Sequence, residues 1–147
     1  MSSNRQNFRY WLIIWMYLIT FGHFLMGILL AWFSSAEVFN YYHQTILTQF
    51  GMTQNSSQDL QKWWLSLFGA TLQNIAIFMG ILTYVGNKYR SASVWLWMMV
   101  GLVVWAPQDV LISLRIDLWL HVWVDLAALI LILAPLIALW RTDRIKT

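Results

Sequence analysis

A chain of 147 residues with 60% hydrophobic and only 10% charged side chains cannot dress itself for water, because a soluble domain carries about 25% charge. Lipid must solvate much of its surface, and a single domain is the expectation at this length. The sequence has no cysteine, which excludes disulfides, thiolate metal sites and cysteine nucleophiles; the net charge of +3, without a basic run interleaved with aromatics, speaks against nucleic acid as a partner.

The first apolar run, residues 10–33, is long enough to cross a bilayer, which takes about 20 helical residues. It is too long for a signal peptide and no small-residue cleavage motif follows it, so it is expected to remain as a span. Thr20, His23, Gly27, Ala31 and Ser34 share one of its faces. The segment that follows, "SSAEVFNYYHQTILTQFG", pairs Ser34 with Glu37 in a capping-box pattern and ends at Gly51, a helix-stop residue. Phe39, Tyr42, Ile46 and Phe50 recur at helical spacing between them. The pattern predicts a short amphipathic helix over residues 36–50, in the first outer loop and at the membrane surface, with His43 solvated.

Three further spans are expected at residues 63–85, 94–113 and 118–140. In the second, Gly69, Gln73, Ala76 and Gly80 align, with Asn74 beside them. In the third, Gly101, Trp105 and Gln108 align, and Asp109 flanks them after Pro107. The fourth carries Asp117, His121, Asp125 and Ala128 on one face, at i, i+4, i+8 and i+11. Small residues let membrane helices approach and polar ones bond across them, so these stripes should face inward. Tight connections after the second and third spans then imply an all-α, antiparallel four-transmembrane-helix bundle.

Lys and Arg set the orientation. Arg5, Arg9, Lys88, Arg90, Arg141, Arg144 and Lys146 fall on one side, and Lys62 and Arg115 on the other. That bias predicts cytoplasmic termini in a multi-pass protein of a bacterial cytoplasmic (inner) membrane. Trp11, Trp15, Trp95, Trp97 and Trp140 should anchor the inner interface, and Trp32, Trp63, Trp64 and Trp119 the outer one. Pro135, near the inner end, reads as a structural kink.

Depth separates the polar groups. Ionisable residues within a span each cost about 2.5–3.5 kcal/mol at its centre, and here they gather in the outer half. The expected ligand pocket comprises His23, Gln73, Asn74, Trp105, Gln108, Asp109, His121 and Asp125. The plainer alternative is a polar network that locks the helices together. His121 and Asp125, four residues apart, can share a metal ion that Asp109 or His23 would complete. Neither HExxH nor a repeated Glu-x-x-His is present, and a haem between His23 and His121 lacks any attachment motif. The expectation is therefore a non-enzymatic envelope accessory factor without a cofactor, bathed in membrane lipid. It would bind an amphiphile or another membrane or envelope protein through that pocket. The alternative is a redox or transport component handling quinone, haem, a divalent metal or protons. In either case His121 is expected to tie its own helix to Asp109.

Overall fold

In hydrocarbon every backbone polar group must be satisfied within the chain, and an apolar sequence of this kind does so as helix. The computed structural model describes residues 3–52 and 55–144; Lys146, counted above among the cytoplasmic charges, lies outside them. The helices are α1 (Ser3–Phe33), α2 (Asn40–Gln49) after a 3₁₀ turn at Glu37–Phe39, α3 (Asn55–Tyr89), α4 (Ala92–Leu114) and α5 (Trp119–Arg144). No strand occurs among the described residues. α1, α3, α4 and α5 are each long and apolar enough to cross a membrane, which makes this a multi-pass membrane protein. Their outward faces carry Leu18, Phe21, Ile77, Phe78, Val103, Val104, Ile112 and Ile130, all exposed. Such a surface is stable only against lipid.

α1 packs chiefly on α3 and α4 on α5, with lighter α1–α5 and α3–α4 contacts. Because lipid is as apolar as leucine, close packing and polar bonds must hold such pairs. The small-residue stripes supply the packing between α1 and α3. A Cβ added at Gly27 would lie 2.8 Å from the Gly69 carbonyl oxygen, and one at Gly69 would lie 2.7 Å from that of Gly27. The backbones themselves touch. Beyond this crossing, Ser34 and Ser66 join their hydroxyls at 2.9 Å.

The buried apolar cluster sits toward the opposite end: Ile13, Met16, Trp95, Ile132, Leu136 and Leu139. Gly86 leaves room for the Trp95 indole, whose ring carbons would lie 2.6 Å from any Cβ placed there. Beside this cluster the start of α1, the end of α3, the start of α4 and the end of α5 come together, which defines the terminal end of the bundle. The other end carries α2.

Three helices finish in the same way, with a left-handed residue and a backbone bond spanning five residues. Gly51 (φ 63°) ends α2 with Met52 N–H on the Leu47 carbonyl at 2.9 Å. Arg90 (φ 51°) ends α3 with Ser91 on Gly86, and Asp117 (φ 54°) follows α4 with Leu118 on Ser113. Gly51 was legible as a stop. Arg90 and Asp117 were not, because their side chains disfavour that backbone.

Several expectations need correction. Asp117 belongs to the turn before α5, not to the helical face of His121, and it is exposed. Ser34 caps nothing; its hydroxyl is engaged with Ser66, and neither the 3₁₀ turn nor α2 has a side-chain cap. His43 is fully buried rather than solvated. Its Nε2 donates to the Ser34 carbonyl at 2.7 Å, an acceptor left over where α1 has ended. Trp95 is buried and not an interfacial anchor, whereas Trp11, Trp32, Trp63, Trp64, Trp97 and Trp119 remain exposed.

Candidate functional site

The turn between α4 and α5 brings the last turns of one helix alongside the first turns of the other. Asp109 and Ser113 are four residues apart on α4; His121 and Asp125 are four apart on α5. Each pair therefore projects from a single helical face. Ser113 Oγ and His121 Nδ1 form a hydrogen bond of 2.9 Å across the turn. One helical turn deeper, Asp109 and Asp125 approach. A carboxylate oxygen of Asp109, a ring nitrogen of His121 and a carboxylate oxygen of Asp125 all lie within 4.8 Å of one another.

Asp125 is the deepest member, only 4% exposed, while Asp109 and His121 are half-buried. Its Oδ2 has no hydrogen-bond partner, and His121 Nδ1 is 3.9 Å away, beyond bonding range. A buried carboxylate oxygen without a donor is costly and calls for an explanation. On α2, burial, and then the charges of Asp109 and Asp125, hold the Tyr42 phenol above its ordinary pKa. Gln49 ties the same helix to the α4–α5 turn through the Asp117 carbonyl, 3.2 Å away.

Of the eight residues expected to line a pocket, the fold unites Asp109, His121 and Asp125. The other five are turned elsewhere. His23 Nδ1 meets the Ile19 carbonyl of its own helix at 2.9 Å, and the Gln73 amide reaches only its own Gly69 carbonyl at 3.4 Å. The Gln73 side chain lies against α1, where a Cβ at Gly27 would stand 2.7 Å from its Cγ. Asn74 and Trp105 are exposed, and Gln108, also exposed, donates to the Val104 carbonyl of α4. Gln108 and Asp109 are neighbours about 100° apart around the helix, so only one can face α5. His121 does tie α5 to α4, but its hydrogen bond goes to Ser113.

Sequence reasoning missed a second polar cluster, at the terminal end. Arg9 Nε and Nη2 each donate to an oxygen of Asp143 at 2.9 Å, and Nη1 donates to Asn87 Oδ1 at 2.6 Å. The Trp95 indole N–H adds a third donor to Asp143 at 2.9 Å, and Arg90 Nη1 lies 3.8 Å from it. Arg9 and Asp143 are 4% and 1% exposed, so both are core residues rather than cytoplasmic surface charges. A signal was present. Ile132, Leu136, Leu139 and Asp143 follow one helical stripe, as do Arg9, Ile13 and Met16, so opposite charges extend two core stripes by one turn.

With this geometry in hand, comparison with protein-family models, with curated proteins and with solved structures gave no match. What the protein does must be argued from its own residues.

Proposed function

We propose that this is a membrane protein of a bacterial inner membrane, with both termini cytoplasmic in an antiparallel bundle, whose α2 end binds a divalent metal ion. The observation that carries the proposal is the Asp109–His121–Asp125 triad around the unpartnered Oδ2 of buried Asp125. Two carboxylates sharing one site repel, and low dielectric magnifies that repulsion. A dication between them makes the triad neutral and gives Oδ2 a partner.

The donor set narrows the metal. One imidazole with two carboxylates suits zinc, iron(II) or manganese better than calcium or copper(I). Metal–ligand bonds of about 2.0–2.2 Å place tetrahedral donors about 3.5 Å apart, so the triad has to contract modestly on loading. Ser113 holds His121 Nδ1, the nitrogen 3.9 Å from Asp125 Oδ2, so a metal taken by that nitrogen would displace the serine hydroxyl. Three protein ligands leave a coordination position open to water or an exchangeable ligand, unlike a closed structural centre. The site thus favours the metal-handling alternative over a broad pocket for a partner protein or amphiphile. Such a pocket would need His23, Gln73 and Asn74 as walls, and two of these bond their own helices while Asn74 is exposed.

Zinc X-ray absorption on the purified, zinc-loaded protein tests this. The expected spectrum shows one equivalent of zinc with one imidazole and oxygen neighbours at about 2.0–2.2 Å, and His121→Gln removes the imidazole signature. Zinc lost on desalting, or surrounded by water oxygens alone, would contradict the proposal.

A further inference from the structure

At the terminal end a groove of about 550 Å³ runs between the first turns of α1 and the end of α3. Its lining is graded. Gln6, Asn7, Asn87 and Arg90 form one part, and Ile13, Ile14 and Tyr17 another, two to three turns further along α1. From residue 6 to residue 17 the helix rises about 16 Å, so polarity falls along the groove over roughly the depth of a headgroup and the first acyl carbons.

Charge is graded too. Arg9 is saturated by Asp143 and Asn87, but Arg90 is not: its buried Nη1 stands 3.8 Å from Asp143, too far to hydrogen-bond, and the side chain as a whole is 38% exposed, so the rest of the guanidinium is open to a ligand. Two guanidinium groups against one carboxylate leave an excess positive charge beside the polar part of the groove. Arg90 also holds a left-handed backbone (φ 51°) that glycine would adopt without strain. Arg90 lines the groove, and on the orientation proposed above this end faces anionic headgroups.

We infer that this groove binds an anionic phospholipid, its phosphate on the spare donors of Arg90 and an acyl chain along Ile13, Ile14 and Tyr17. The apolar stretch and its place on a membrane-spanning helix select a lipid over free phosphate. A zwitterionic lipid would present the same phosphate but add a cation beside an already positive site. This inference is independent of the metal site at the opposite end.

Native mass spectrometry of the full chain, delipidated in detergent, provides the test, with phosphatidylglycerol, phosphatidylcholine or inorganic phosphate added. The wild type should retain one phosphatidylglycerol with roughly tenfold preference over phosphatidylcholine, the scale of one charge-assisted hydrogen bond. Arg90→Gln should abolish the preference. Ile14→Trp, which fills the apolar stretch and leaves the guanidinium intact, should weaken retention of phosphatidylglycerol, and it decides the matter if Arg90→Gln fails to fold. Equal retention of both lipids by the wild type, unchanged preference in a folded Arg90→Gln, unchanged retention in Ile14→Trp, or inorganic phosphate displacing the lipid at equal concentration would each overturn the inference.

Discussion

Asp143 at the terminal end and Asp125 at the α2 end are nearly equally buried, 1% and 4% exposed, yet their surroundings differ in kind. Asp143 receives two N–H groups from Arg9 and one from Trp95, on both of its oxygens. Asp125 keeps an oxygen with no donor, beside a second acid and an imidazole. Burial of a carboxylate in a membrane bundle therefore says little by itself. What separates a structural acid from a functional one is whether the fold has already supplied its counter-charge. Asp143 has three N–H donors within its own fold, whereas the nearest nitrogen to the free oxygen of Asp125 is His121 Nδ1 at 3.9 Å.

The contrast breaks most visibly at Asp143. Asp143→Ala leaves the Arg9 guanidinium buried beside Asn87 alone, and removal of one partner from a buried pair costs about 3–5 kcal/mol. Thermal unfolding in detergent should show a larger loss than a single substitution at any member of the α2-end triad. Arg9→Met combined with Asp143→Leu should recover most of it, since no charge is then stranded. Failure of the double variant to recover would mean that the network does more than neutralise itself.

Gly69→Ala ranks next. The new methyl meets the backbone of α1 at Gly27 and Ala31, which cannot rotate away, so overpacking of about 1–3 kcal/mol is expected. Gly101→Ala, at a position with nothing within 4 Å, is its control and should melt like the wild type. Asp125→Asn sharpens the comparison from the other side. Without metal it relieves repulsion and should move melting by no more than about 4 °C, the scale of roughly 1 kcal/mol at this length. A collapse like that of Asp143→Ala would place Asp125 in the structural class.

Tyr42→Phe should have the smallest effect, confined to alkaline pH. The folded phenol titrates above its ordinary pKa of 10.0, so the fold favours the neutral form. That contribution is complete below pH 10 and is lost as pH rises through the folded value. Wild-type melting should fall more steeply than that of Tyr42→Phe above pH 10 and match it below; parallel curves throughout would mean that the Tyr42 phenol is not buried.

The helices and the small-residue stripes that carry Gly27 and Gly69 were legible because period and residue size act locally along the chain; that these two glycines meet was not. Asp109, His121 and Asp125 were legible as ionisable groups within apolar runs. Their separation from His23 and Gln73 was not, since it depends on how closely α1 and α3 touch. Arg9 and Asp143 are 134 residues apart, and each lies at a helix end where charge is ordinarily solvated. Trp95 looked like an anchor for the same reason; only the space left by Gly86 admits it to the core.

One measurement tests the difference between the two ends most directly: melting of the detergent-solubilised protein in chelator and in excess zinc, for wild type and Asp125→Asn. Zinc at about a hundred times its dissociation constant adds about 2.7 kcal/mol, so wild type should melt about 5–10 °C higher. Asp125→Asn should gain little or nothing. A wild type indifferent to zinc, or an Asp125→Asn protein that gains as much, would contradict a metal centre at the α2 end.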